Sequence, residues 1–127
     1  MKWPGRVGSA ALPGAGFYAR QQVGAAASTG HGETIISEQV CRTVVDLMAL
    51  GHSAQEAVDG MLEKINDSPK GAKRVGIIAV DREGRPGAGV NIPDGLPTGI
   101  ASGSDRQTRS FRSVIIPTPP LPEGRAT

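Results

Sequence analysis

A glycine-rich hexapeptide, STGHGE at residues 28–33, constrains the fold of this chain more than any other segment. It lies between a run of small residues, 24–27, and the longest helical pattern in the sequence. Glycines on both sides of His31 let the backbone approach a bound group closely, and a helix that starts at Glu33 would direct unpaired N–H groups at the turn. The hexapeptide therefore predicts either a site for an anion or oxyanion, or only a tight strand-to-helix turn. The spacing of the glycines alone favours the tight turn.

Composition limits the size of the core that the chain can build. Its 127 residues include 18 glycines, 10 prolines, one tryptophan, one tyrosine and two phenylalanines. This length suits one domain or part of one. Because a core of small residues gains little free energy per residue, we expect the isolated chain to be poorly stable.

Charge and hydropathy argue against several classes of partner. The net charge of +2 comes from 14 basic and 12 acidic residues without a long run of one sign, so neither a nucleic-acid nor a membrane partner is expected. The longest apolar runs are far shorter than a membrane span, and the N-terminus lacks the apolar block of a signal peptide. These features favour a cytoplasmic protein.

Metal and cofactor sites are not predicted. The single cysteine, Cys41, lies in an apolar helical pattern and is expected to be buried. His31 and His52 share no acidic residue at the spacing of a metal site. The glycines at 14 and 16 lack the preceding strand and the following helix of a dinucleotide site, so no cofactor is expected.

Hydrophobic periodicity predicts two helices after an irregular entry, residues 1–22, and a short buried strand, Val23 to Ser28. The first helix, 33–50, has an apolar stripe and a C-terminal cap at Gly51; the stripe consists of Ile36, Val40, Val44, Leu47 and Met48. The second helix, 54–66, opens with a Ser53–Glu56 capping box, and its inner face consists of Ala57, Val58, Met61, Leu62 and Ile65.

An antiparallel sheet is predicted beside these helices. The apolar run 75–80 suits a strand covered on both faces, a turn at 82–85 follows, and 87–92 returns as its partner. Residues 111–116 are a candidate edge strand. We therefore predict an α+β domain over 1–116, with both helices on one face of the sheet, followed by a disordered proline-rich tail, 117–127.

Four motifs, in order and spacing, resemble the plant-type asparaginase, isoaspartyl peptidase and glycosylasparaginase family. They are PGRVG at 4–8, GAGxYA at 14–19, GA at 24–25 and TGHGE at 29–33. The helix pair and the hairpin that ends at Asn91 are similar to the rest of that family's β subunit. The resemblance covers residues 1–92. On residue type alone Arg6 is more often a solvated loop arginine, although its planar fork suits a carboxylate.

The resemblance implies an N-terminal-nucleophile hydrolase with an αββα sandwich, made as a precursor that cleaves itself to expose a threonine. That threonine's hydroxyl attacks the amide carbon of a small amino-acid amide or β-aspartyl peptide, and its own amine is the base. In this chain the resemblance implies that Arg6 binds the substrate α-carboxylate and that Thr29 and Gly30 form the oxyanion hole. The other implied substrate-binding residues are Gly8, Ser9 and Gly32.

Two positions depart from the family pattern. Ser9 replaces the aspartate that holds the substrate's α-amino group, and Arg20 replaces a second acidic residue. A hydroxyl accepts a hydrogen bond from an ammonium without the strength of a carboxylate. A substrate other than free asparagine, or a decayed site, is therefore an alternative.

The family's nucleophile lies well upstream of the arginine, and only five residues precede Arg6 here. We therefore expect this chain to be the C-terminal part of a β subunit, without the nucleophile and inactive alone. The expected partner is the missing N-terminal α subunit, in an (αβ)2 assembly of the intact protein. The alternative is a non-catalytic remnant that binds a partner or a small acid without turnover.

Overall fold

A computed structural model of the chain describes residues 3–69 and 73–91, together with the backbone of 98–102 and 105–111. The strands β1–β4 form an antiparallel sheet in that order, and β5 pairs with β6 in a second one. Three helices pack on one face of the first sheet, which confirms the predicted α+β class. In chain order the elements are β1 (Phe17–Arg20), β2 (Gly24–Gly30), α1 (Gly32–Ser37), α2 (Val40–Ala49), α3 (Ala54–Asn66), β3 (Val75–Asp81), β4 (Pro86–Val90), β5 (Thr98–Ser102) and β6 (Asp105–Phe111).

The predicted hairpin is present, and Asp81 closes its turn. The carboxylate accepts hydrogen bonds from the Glu83 N–H at 3.0 Å, the Arg85 N–H at 2.9 Å and the Arg85 Nε at 2.7 Å. Gly84 has a φ of 80°, which glycine adopts without strain. The partner strand β4 covers Pro86–Val90 rather than the predicted 87–92, and residue 92 lies outside the described part of the chain.

The prediction of one helix over 33–50 is wrong, because α1 and α2 occupy that range. Between them Gln39 has a φ of 47°, in the left-handed region that interrupts a helix. At the start of α2 the Arg42 N–H donates to the Gly14 carbonyl at 2.8 Å, and the Cys41 N–H donates to the Ala15 carbonyl at 3.4 Å. The 14–15 loop thus supplies the acceptors that a preceding helical turn would otherwise provide.

The break also changes which residues of this region are buried. Ile36, predicted on the inner face, is 42% exposed, and Leu47 is only partly buried. Cys41 is fully buried, as predicted. The buried residues of the two helices are Ile35, Val40, Cys41, Val44, Val45 and Met48.

The end of α2 and the whole of α3 match the prediction. Gly51 has a φ of 104°, and the bonds from its N–H to the Met48 carbonyl and from the His52 N–H to the Leu47 carbonyl form a Schellman cap. Both bonds of the capping box between Ser53 and Glu56 are made. All five residues predicted for the inner face of α3 are buried.

The strand β1 was not predicted, because four mostly exposed residues at a sheet edge give no clear period. The predicted strand 23–28 corresponds to β2. On β3 the prediction of two covered faces is wrong for the described residues. Ile77 is 2% exposed beneath the helices, whereas Ile78 and Val80 are 49% and 39% exposed on the other face.

The remaining predictions concern the C-terminal third. The hairpin of β5 and β6 was not predicted, and the candidate strand 111–116 overlaps it only at Phe111. Residues 112–116 and the tail 117–127 lie outside the described part of the chain. None of the helices in the described residues combines the length and hydropathy needed to cross a membrane.

Candidate functional site

The glycine-rich turn lies at the C-terminal end of β2, where the start of β3 holds it in place. Gly30 has a φ of 131°, and a Cβ added there would overlap the Arg74 carbonyl oxygen and lie 2.9 Å from the Val75 Cα. The next N–H, that of His31, donates to the same Arg74 carbonyl at 2.8 Å. Glycine is therefore the residue that fits position 30 without displacing the neighbouring backbone.

The direction of the Gly30 N–H follows from the strand register. Along a strand, N–H groups point alternately to the two neighbouring strands. The His31 N–H points to β3, whereas the Ser28 N–H donates on the other side, to the Gly16 carbonyl at 2.9 Å. The Gly30 N–H shares the direction of Ser28, beyond the last pair of β1 with β2, Phe17 opposite Ala27. It therefore faces the segment that precedes β1.

His31 caps the helix that follows the turn. Its Nδ1 accepts the Thr34 N–H at 3.4 Å and lies 2.9 Å from the Thr34 hydroxyl, while its Nε2 lies 3.5 Å from the Glu33 carboxylate. The helix α1 begins at Gly32, one residue earlier than predicted, and has six residues. The imidazole thus fixes the exit of the turn.

Arg6 lies in a tight turn near the start of α1. Its N–H donates to the Trp3 carbonyl at 3.1 Å, and Gly5 has a φ of 87°, as the third residue of a type II turn does. Hydrogen bonding to its own backbone N–H holds the pKa of the Glu33 carboxyl below its ordinary value, and the charges of His31 and Arg6 lower it further. The exposed Arg6 guanidinium is therefore within electrostatic reach of the turn.

Ser9 of the entry segment lies close to the turn. It is 9% exposed, and its Oγ lies 4.0 Å from the place that a Cβ of Gly32 would occupy. Gly8, which has a φ of 81°, turns the chain between Arg6 and Ser9. The structure thus brings Ser9 to the Gly32 end of the turn, while the meeting of Arg6 with Thr29 in one pocket stays a prediction.

Arg20 and Cys41 have other surroundings. Arg20 pairs with Asp46 of α2 at 3.4 Å, and both side chains are about half exposed. Burial raises the pKa of the Cys41 thiol, and a hydrogen bond with Ser28 opposes this rise. Neither side chain is placed to act on a ligand at the turn.

A cavity of about 270 Å³ lies at the opposite end of β2 and β3, between Val23, His52 and the β3–β4 turn. Its charged side chains are engaged with one another: Arg85 pairs with Asp81 and Glu83, and Arg82 pairs with Glu83. Because these pairs neutralise the charges that would attract a small acid, we place the candidate site at the turn instead.

Comparison with known proteins decides the family. The family model described as Asparaginase matches residues 1–108. The chain belongs to the asparaginase family. This confirms the resemblance seen in the four motifs.

Three relatives illustrate the range of this family. An N(4)-(β-N-acetylglucosaminyl)-L-asparaginase of Elizabethkingia miricola is 39% identical over 93 residues, which are 68% of this chain and 27% of the relative. A plant-type L-asparaginase of Pyrobaculum calidifontis is 40% identical over 67% of this chain and 28% of its own length. An isoaspartyl peptidase/L-asparaginase of Bos taurus is 37% identical over 65% of this chain and 26% of its own length. The chain thus spans about a quarter of the curated relatives that it matches.

Two features of the turn could not be predicted from the sequence. The Arg74 carbonyl that receives the His31 N–H is a backbone group far along the chain, and no residue type signals it. The effect of the Arg6 charge on the Glu33 carboxyl also depends on tertiary structure. The positive φ at Gly30 was signalled only by the presence of a glycine.

Proposed function

We propose that this chain supplies the carboxylate-binding and oxyanion-binding groups of an amidohydrolase that cleaves a side-chain amide or a β-aspartyl bond. The observation that supports this most is the position of Ser9, whose Oγ lies 4.0 Å from the place of a Gly32 Cβ, at the end of the turn that carries Thr29 and Gly30. A guanidinium fork and a backbone N–H donor suit a substrate that has a carboxylate near its scissile carbonyl.

Each group has a distinct task in this reaction. The Arg6 guanidinium donates two parallel hydrogen bonds to the α-carboxylate and so orients the substrate. The Gly30 N–H and the Thr29 hydroxyl donate to the oxygen that becomes negative when the nucleophile adds to the carbonyl carbon. Fixed donors stabilise that charge without reorganising, because Gly30 ends β2 and is paired with Val75 of β3.

The nucleophile is proposed to lie in a part of the protein outside these 127 residues. A threonine hydroxyl there adds to the amide carbon, its own amine takes the proton, and the C–N bond breaks to release ammonia or an amine. Water then hydrolyses the ester that remains. The 127 residues correspond in this proposal to the C-terminal part of a β subunit, and alone they turn over no substrate.

The remaining part of the protein is proposed to cover the exposed face of the sheet. Phe17, Ile78 and Val80 are 46%, 49% and 39% exposed there, and a contiguous apolar face of this kind marks an interaction surface. The α subunit of the αββα sandwich, within an (αβ)2 assembly, is the proposed occupant. A cytoplasmic location is proposed from sequence composition only.

The choice of substrate depends on Ser9. By their names, the relatives act on N(4)-(β-N-acetylglucosaminyl)-L-asparagine, on L-asparagine and on isoaspartyl peptides. These substrates share an aspartyl or asparaginyl unit, which Arg6 would hold by its carboxylate. Because the Ser9 hydroxyl carries no charge, we propose that the α-amino group contributes less to binding here than it would beside a carboxylate.

The test compares the chain alone with the chain fused to the N-terminal part of the Pyrobaculum calidifontis relative. Ammonia and aspartate release are measured with L-asparagine and with a β-aspartyl dipeptide. We expect no turnover by the chain alone and measurable turnover by the fusion. In the fusion, Arg6→Ala should lower kcat/KM about 10- to 100-fold, the loss of one charge-assisted interaction, and Arg6→Lys should lower it less.

Two outcomes would contradict this proposal. Turnover by the 127 residues alone that is lost on Thr29→Ala would mean that the nucleophile lies within them. A fusion that folds, binds L-aspartate and turns nothing over would favour the non-catalytic remnant instead.

A further inference from the structure

Asn91 is a buried polar residue whose side chain meets three segments. It is 5% exposed and directly follows β4. Its Oδ1 accepts the Val75 N–H at 2.7 Å, and its Nδ2 donates to the Lys73 carbonyl at 2.6 Å and to the Asn66 Oδ1 at 2.9 Å. Its own N–H donates to the Val75 carbonyl at 3.2 Å. One side chain thus ties the end of α3 and the end of β4 to the start of β3.

These bonds fix the residue between Lys73 and Val75. That residue is Arg74, whose carbonyl accepts the His31 N–H at 2.8 Å and would be overlapped by any Cβ at Gly30. The orientation of the Arg74 peptide therefore sets the backbone of the turn on the side of β3. Because both neighbours of Arg74 are held by Asn91, a shift of the Asn91 amide would be transmitted directly to that carbonyl.

We propose that Asn91 is a positioning residue for the Thr29–Gly30 oxyanion donors, acting through the Arg74 carbonyl. It touches no substrate. Its task is to hold 73–75 at the distance from β2 at which the Gly30 N–H points at the reacting carbonyl. This inference takes the role of the turn in oxyanion binding from the proposed function. The link between Asn91 and the turn rests only on the contacts described above.

The chain offers a matched control in Gln55. Its side chain also makes two hydrogen bonds with a strand backbone, donating to the Ala88 carbonyl at 3.0 Å and accepting the Ala88 N–H at 3.1 Å. Both residues tie α3 to the β3–β4 hairpin, but Ala88 lies in the middle of β4, opposite Ile78, away from the turn. Gln55→Ala therefore removes similar bonds without touching 73–75.

The first experiment measures amide hydrogen exchange by NMR in the 127-residue chain and in the variants Asn91→Ala, Asn91→Asp and Gln55→Ala. The His31 amide reports the turn, and the Ala27 amide, in the centre of the same β2–β3 ladder, reports general loss of stability. In Asn91→Ala, His31 exchange should accelerate at least about tenfold more than Ala27 exchange, since the Val75 N–H loses its buried acceptor. Asn91→Asp keeps that acceptor and should lie between wild type and Asn91→Ala. Gln55→Ala should accelerate both amides equally.

The second experiment places the same variants in the active fusion. Donors that act on the developing oxyanion affect the transition state more than the bound substrate. Asn91→Ala should therefore lower kcat about 10- to 100-fold with KM changed by less than about threefold. Gln55→Ala should leave both within about threefold of wild type.

The outcomes separate this inference from the proposed function. Equal acceleration of His31 and Ala27 in Asn91→Ala, or the same selective effect in Gln55→Ala, would reduce Asn91 to a purely structural residue. A rise in KM with kcat unchanged would also overturn the positioning role. An inactive wild-type fusion would count against the proposed function, while the exchange data would still decide whether Asn91 holds the turn.

Discussion

Strand β3 carries apolar side chains on both faces of the β1–β4 sheet, but the two faces differ in their surroundings. On the face toward the helices, Ala26, Ile77 and Ala79 are all less than a tenth exposed. On the other face, Ile78 and Val80 are 49% and 39% exposed, although the residues are as apolar as their neighbours. Within the described residues only the first face has a helical layer packed on it.

The contrast matters for function because Thr29 lies on the second face. Side chains alternate along β2, so Thr29 shares a face with Ala27 and with Ile78, the partner of Ala27 on β3. The face that carries the predicted oxyanion residue is thus the one without a covering layer in the described part of the chain. A layer that packs there, as proposed above, would also cover Thr29.

The largest expected effect comes from matched substitutions at two neighbouring positions of β3. Ile77→Ala should lower the free energy of unfolding by about 2–5 kcal/mol, because it opens a cavity beneath the helices. Ile78→Ala removes the same atoms from the half-exposed face and should lower it by about 1 kcal/mol or less. Urea unfolding followed by circular dichroism measures both in the 127-residue chain.

The comparison between the faces fails if the two isoleucines behave alike. Equal losses of about 2–5 kcal/mol for both variants would mean that the second face is packed in solution, for example between two copies of the chain. The same pair measured in the fusion should show a larger loss for Ile78→Ala than in the chain alone, because the added layer would bury that side chain.

The sequence alone predicted the parts of the fold in which local signals agree with tertiary packing. In α3 the Ser53–Glu56 box and the apolar stripe lead to the same helix, which is present as predicted. The region 33–50 was mispredicted because Gln39 has no local feature that ends a helix. The break depends on acceptors from Gly14 and Ala15, which only the folded loop brings to α2.

The candidate site was predictable to a similar extent. The glycines of the turn and Arg6 stood out by residue type and by family resemblance, and the structure places Ser9, three residues after Arg6, beside the Gly32 end of that turn. The supports of the turn, the Arg74 carbonyl and the Asn91 amide, were not predictable. They are long-range contacts of one backbone group and one ordinary polar residue.

A second test of the two faces adds apolar atoms to the sheet instead of removing them. At Gly89, on the helix face, a Cβ would lie 2.7 Å from the Leu62 Cδ1 and 2.9 Å from the Val58 Cγ1. Gly89→Ala should therefore lower the free energy of unfolding by about 1–3 kcal/mol, since both side chains must shift.

Its control is Ala88→Val, one residue away on the half-exposed face. A β-branched residue suits a strand, so a change within about 0.5 kcal/mol is expected. Chemical denaturation measures both variants. A loss for Ala88→Val as large as that for Gly89→Ala would show that the second face is as crowded as the first.

The smallest expected effect is on the pH dependence of stability, through Asp81. This charged residue ends β3 on the face toward the helices. Burial raises the pKa of this carboxyl, but the hydrogen bonds from the Arg85 N–H and guanidinium and from the Glu83 N–H outweigh it and leave the pKa below its ordinary value. A carboxyl with a lower pKa in the folded state stabilises that state above its unfolded pKa, about 3.9, and loses this contribution as the pH falls through the folded value. Stability should therefore decrease below about pH 4.

In Asp81→Asn the decrease between pH 5 and pH 2 should be shallower, and in Arg85→Ala, which keeps both backbone donors, it should be intermediate. Thermal unfolding across this range measures the slopes, and an unchanged slope in Asp81→Asn would mean that the acid sensitivity arises elsewhere in the chain.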